Sequence, residues 1–124
     1  MDLSNFKPFT MVAGRSFVTI SKNGVAFSQA AVAELEKSEY VIVLFNSQEK
    51  QMAIKQARQD DDNAIAFYKK NRKNLNVRWN NSMLKEKIGS MMDWNLHNDT
   101  YRVEGKYDRE NQALIFDLLS AEKS

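Results

Sequence analysis

Tyr40-Val-Ile-Val-Leu-Phe45, a polar turn over residues 46–50, and Gln51-Met-Ala-Ile-Lys55 read as a strand, a reversal and a second strand. Tyr101 to Phe116 repeats that layout sixty-one positions later, setting Tyr40 over Tyr101, Ile42 over Val103, Glu49 over Glu110, Gln51 over Gln112 and Ile54 over Ile115. Each stretch also follows a candidate hairpin and a short helix. A unit of hairpin, helix and hairpin is too small to bury a stable core alone, so two copies in one chain predict a single shared core. The fold class expected is α+β: two such units forming one compact, mostly antiparallel, barrel-like sheet with two short helices.

Working outward, Phe17–Ile20 and Val25–Phe27 flank Asn23-Gly24, a pair suited to the positive φ of a tight reversal, and predict the opening hairpin. Ser28 is placed to cap a helix over Gln29–Lys37, whose narrow apolar face is Val32 and Leu35. Tyr40–Phe45 is apolar throughout, which predicts a strand covered on both faces. In the second unit, Ala64–Tyr68 and Asn76–Trp79 predict a hairpin joined by the basic stretch Lys69–Asn74. Asn81 or Ser82 caps a helix bearing Leu84, Ile88, Met91 and Met92 on one face. Residues 94–100 are an insertion. Tyr101, Val103, Gly105 and Tyr107 alternate with polar residues, so one face of that strand is expected to be wet; Asp108–Asn111 is the turn and Ala113–Leu119 the closing strand. The organisation is one domain over 1–124: an arm over 1–14 packing through Phe6, Phe9 and Met11, a first repeat over 15–55, a linker over 56–63 and a second repeat over 64–119.

The 124 residues are 43% hydrophobic and 27% charged, an ordinary globular balance. No apolar run approaches the ~20 residues that cross a bilayer, so no membrane partner is expected. The first residues lack a basic region followed by an apolar stretch, so no secretion signal is expected. The absence of cysteine excludes disulfides and thiolate chemistry and points to the cytoplasm. Charge is divided unevenly along the chain. Lys69, Lys70, Arg72, Lys73, Arg78, Lys85 and Lys87 face only Glu86 between Asn63 and Ser90, a net of +6 in a chain whose total is +2. Asp60, Asp61 and Asp62 immediately precede that segment. Such asymmetry steers anionic partners, and it also occurs on solvated loops.

The stretch from Val18 through Asn23-Gly24 to Phe27, the cap Ser28, the helix to Leu35 and the strands Tyr40–Phe45 and Gln51–Lys55 resemble the AbrB/SpoVT-like swapped-hairpin family. That resemblance implies two interleaved units closing one barrel, here both within one chain as in the MraZ branch. It further implies a transcription regulator that lays basic side chains of the opening hairpins against DNA. By position these are Arg15 and Lys22 in the first unit and Lys69, Lys70, Arg72 and Lys73 in the second. Two departures stand out: Ser28 occupies the position where the family has proline, and the helix Gln29–Lys37 contains no arginine.

Read as chemistry, Lys69-Lys70-Asn71-Arg72-Lys73 with Arg78 supplies cations for phosphates, while Asn71, Asn74 and Asn76 supply groups for groove edges. The competing reading is a solvated loop whose charges discourage edge association. Trp79, Trp94 and Tyr107 could stack on bases, but positions at a strand end and against a helix face favour core for both tryptophans. His97 is the sole histidine, with no ligand set around it, and is expected on an exposed loop. Asp60–Asp62 read as a polar linker. No glycine loop cradles phosphate and no nucleophile elbow is present, so neither a cofactor nor an enzymatic activity is expected. The expected function is a small regulator binding double-stranded DNA through Arg15, Lys22, Lys69, Lys70, Arg72, Lys73 and Arg78. The alternative is a non-enzymatic interaction or accessory module, with a protein partner or a homo-oligomer, in which the Tyr40–Phe45 strand serves an interface.

Overall fold

The computed structural model describes residues 3, 4, 6, 14–70 and 75–123. Strands β1 (Phe17–Ser21) and β2 (Gly24–Phe27) form the opening hairpin, with Ser21 opposite Gly24 and Lys22-Asn23 as its turn. Gly24 has φ +128°, and a Cβ there would collide with the Trp79 carbonyl, so both conformation and space demand glycine. Helix α1 (Gln29–Glu34) follows. It stops before Lys37 because Glu36 and Lys37 turn left-handed, at φ 56° and 54°.

Strands β3 (Tyr40–Asn46) and β4 (Gln51–Ala57) form the second hairpin; β5 (Ile65–Ala66) and β6 (Val77–Trp79) precede helix α2 (Ser82–Met92). Strands β7 (Tyr101–Asp108) and β8 (Ala113–Asp117), a 3-10 turn over Leu118–Ser120 and β9 (Glu122–Lys123) complete the chain. The sheet is antiparallel and runs β5-β3-β4-β8-β7-β1-β2-β6, with β9 added against β7. Its two end strands are consecutive in sequence, so the sheet curls into a half-barrel. The indole Nε1 of Trp79 on β6 donates to the Ala66 carbonyl on β5 at 3.1 Å across the gap. The fold is therefore α+β with a curled antiparallel sheet and two helices.

Two expectations need correction. Ala64–Tyr68 and Asn76–Trp79 do not pair with each other: β5 adds to β3 and β6 to β2. A strand, a loop and a strand look alike locally whether the partner is the next segment or a distant one. Tyr40–Phe45 is not covered on both faces either, since Val41 is buried while Leu44 is exposed.

The turns of the β3–β4 and β7–β8 hairpins align one residue away from the expected separation of sixty-one. Asn46 opposite Gln51 closes the β3–β4 turn and Asp108 opposite Ala113 closes the β7–β8 turn, a separation of sixty-two. Lys50 and Gln112 both take positive φ, and they accept from Leu118 N and Gln56 N respectively. In this register buried Met52 and Ile54 correspond to buried Leu114 and Phe116. A shift of sixty-one would instead match buried Ile54 with half-exposed Ile115, because one residue of slip reverses every side chain. Exchanging β1–β4 with β5–β8 maps the ladders β1–β7, β2–β6, β3–β4 and β4–β8 onto observed ladders; β1–β2 and β7–β9 lack a counterpart.

The core fills the inside of the curl. Val18, Ile20, Phe27, Leu35, Val41, Ile54, Ile88, Val103 and Phe116 are drawn from both halves and both helices. Each such aliphatic or aromatic side chain contributes about 1.5–3 kcal/mol on leaving water. Gly105 faces this core, where a Cβ would press on Phe116 and Leu114. Of the arm, Phe6 is exposed, whereas Phe9 and Met11 lie outside the described residues. The linker is shorter than expected because β4 extends to Ala57. No helix among the described residues is long and apolar enough to cross a membrane.

Candidate nucleic-acid interface

Helix α2 organises the basic surface. The Asn81 side chain accepts from Leu84 N at 3.1 Å and starts the helix, and Asp93 in the left-handed region ends it. Ile88 is fully buried, and Leu84, Met91 and Met92 lean on the core beside it, the face that helical spacing predicts. Lys85 reaches the first hairpin: its Nζ donates to the Lys22 carbonyl at 2.9 Å and lies 3.4 Å from Asn80 Oδ1. Lys87 points elsewhere, its Nζ lying 5.7 Å from the centroid of Phe45 on β3. No acidic residue occupies the first turn, so the positive end of the helix dipole adds to these charges.

Pairing of β2 with β6 brings Lys22, at the tip of the first hairpin, toward this helix, and sets exposed Arg78 opposite Ala26. Lys22, Arg78, Lys85 and Lys87 thus surround the start of α2, accompanied on that helix by Glu86 alone among the carboxylates. Two clefts flank them. One, of about 540 Å³, is lined by Lys22, Lys85, Glu86, Trp94 and His97. The other, of about 740 Å³, lies between β3, β5, β6 and α2 and includes Arg78 and Lys87. Lys69 and Lys70 follow β5, and Lys70 meets Glu39 at 3.0 Å in an exposed ion pair. Asn71, Arg72, Lys73 and Asn74 lie outside the described residues.

Arg15 is not part of this group. It stands at the opposite end of β1 from Lys22, roughly 20 Å away at ~3.3 Å per residue, and pairs with Glu104 at 3.6 Å. The groove it lines, about 530 Å³, interleaves Arg15, Arg102 and Lys106 with Glu104, Asp117 and Glu122. Equal numbers of each sign leave no uniform field there. Arg102 lies flat against Phe17, 3.5 Å from the ring centroid.

The aromatic residues have structural roles. Trp79 meets Phe27 and Phe67 edge to face, with centroids 5.1 and 5.7 Å apart. Trp94 stacks on Tyr101 at 3.8 Å with planes 5° apart. Tyr107 donates to Gln56 Oε1 at 2.7 Å; burial, reinforced by Glu36, Glu34 and Asp108, raises its pKa above the ordinary tyrosine value. His97 is exposed, and among the described residues no group of three metal-ligating side chains converges. Lys85 and Lys87 belong to this surface but were absent from the sequence-derived site. Their signal was already there: two lysines of the +6 segment, on a helix whose opposite face is apolar.

No family model, no curated protein and no solved structure matches this chain.

Proposed function

We propose that this chain is a small cytoplasmic, double-stranded DNA-binding protein of regulatory type, built as a duplicated swapped-hairpin barrel of the AbrB/SpoVT-like kind. The observation that carries the reading is the clustering of Lys22, Arg78, Lys85 and Lys87 around the start of α2, in a segment whose net charge is +6. The near-closed exchange of ladders between the halves supports the duplication. Phosphate contacts come from this cluster and from Lys69, Lys70, Arg72 and Lys73; Arg15, neutralised by Glu104, contributes little. No enzymatic step is assigned.

The test is titration of labelled duplex DNA at several salt concentrations. Each phosphate contact steepens the log–log salt dependence by about 0.9. The change Lys70→Glu, Arg72→Glu and Lys73→Glu together should flatten the slope by about 3 and weaken binding at every salt concentration. Lys22→Glu should act in the same direction, by about 1. Absence of salt-dependent binding at low ionic strength would refute the proposal.

A second reading, an interaction module without nucleic-acid binding, is favoured by the exposure of Leu44, Ile65 and Met83.

A further inference from the structure

The cleft between β3, β5, β6 and α2 has a different character from the rest of the basic surface. Its walls are Val43, Phe45, Ile65, Trp79 and Met83, and among the described residues no carboxylate lines it. Met83 is 81% exposed and Ile65 40%. Large apolar side chains gathered at one place are costly to leave in water and mark contact surfaces. Arg78 and Lys87 stand at the cleft with no ion pair among the described residues.

The same chain carries the complement. Asp60, Asp61 and Asp62 lie exposed in the loop that leads into β5, and Ile65 follows three residues after Asp62. Asp61 accepts from Arg58 N at 2.8 Å and holds that loop, while Asp60 and Asp62 make no ion pair among the described residues. An apolar patch with unpaired cations on it and unpaired carboxylates beside it is self-complementary under a twofold rotation. Among the described residues β5 has β3 as its one ladder partner, and the Trp79 indole reaches its Ala66 carbonyl from the other side.

We infer that this face is the interface between two copies of the chain. Met83 and Ile65 of each copy cover those of the other, and the Asp60–Asp62 loop of each reaches Arg78 and Lys87 of its mate. The inference does not rest on DNA binding, and in the dimer it assigns Arg78 and Lys87 to the mate and leaves Lys22 and Lys85 for phosphate.

Sedimentation equilibrium provides the test. The wild type should sediment at twice its 14.3 kDa chain mass. Met83→Glu puts a charge at the centre of the patch and should weaken dimerisation by about thirtyfold or more, the scale of a central contact residue. Arg78→Glu with Lys87→Glu, and Asp60→Lys with Asp62→Lys, should each weaken it by placing like charges together. Mixed in equal amounts, those two variants should restore the dimer, since both contacts in the mixed pair then join opposite charges. Circular dichroism checks that each variant is folded; these are exposed positions and folding should be retained. A monomeric wild type at high concentration overturns the inference. So does a dimer indifferent to Met83→Glu, or a mixture that does not recover. DNA titration of Met83→Glu separates the two proposals, since the variant keeps Lys22, Lys69, Lys70, Arg72, Lys73 and Lys85, whose proposed phosphate contacts do not depend on the dimer.

Discussion

Helices α1 and α2 are each entered from a strand and begun by a side-chain cap, yet they do opposite work. In α1, Ala30, Ala31 and Val32 are buried, with Leu35 at its end, and six residues suffice. Its cap is tied three ways: Ser28 Oγ accepts from Ala31 N and Phe17 N, both at 3.1 Å, and donates to the Arg15 carbonyl at 3.0 Å. Helix α2 runs eleven residues, buries Ile88 fully, and turns Lys85, Glu86 and Lys87 outward. Its cap makes only the local bond to Leu84 N. Helix α1 serves cohesion and α2 serves surface, within one shared core.

That contrast can be broken by mutation. The largest effect should come from Leu35→Ala, about 3 kcal/mol lost in urea unfolding, against about 1 kcal/mol for half-buried Met91→Ala, since cavity cost follows burial. Equal losses would dismiss the division of labour. Next, Ser28→Ala should cost about 2 kcal/mol and Asn81→Ala about 1 kcal/mol, because the first removes a cap that also joins the helix to the approach to β1.

The smallest effect separates the two equivalent turns. In the β3–β4 turn Asn46 Oδ1 accepts from Glu49 N at 3.1 Å; in the β7–β8 turn Asp108 occupies that place and accepts from Glu110 N, Asn111 N and Asn111 Nδ2. The Asn111 side-chain bond, with those backbone bonds, holds the Asp108 carboxyl below its ordinary pKa. A lowered carboxylate pKa gives stability that is complete above the unfolded value and lost as pH falls through the folded one. Acid should therefore loosen the second turn and spare the first. Urea midpoints measured down an acid series should show that Asp108→Asn flattens the decline; an unchanged decline would place the acid sensitivity elsewhere.

What was legible in the sequence is what is local. The Asn23-Gly24 reversal, the Ser28 and Asn81 caps, and the β3–β4 and β7–β8 hairpins each depend on residues a few positions apart, and each appears within a residue or two of expectation. Pairing of β5 with β3 and of β6 with β2 joins segments whose sequences hold no record of one another. Matching letters around the turns, such as Glu49 with Glu110, favoured a shift of sixty-one, while inward alternation at Met52, Ile54, Leu114 and Phe116 selects sixty-two. The charges of the candidate site could be counted but not sorted: nothing near Arg15 announces Glu104, and nothing near Lys22 announces Lys85. The apolar cleft was out of reach because three distant segments build it.

The interleaving of strands has a consequence for the nascent chain. Strand β1 meets β7, which begins only at Tyr101, and β2 meets β6. At ~5–20 residues per second of translation, the amino-terminal half emerges seconds before the strands it must embrace. Its apolar faces pass that interval uncovered, so assembly is deferred until the ribosome has delivered the strands from Tyr101 onward.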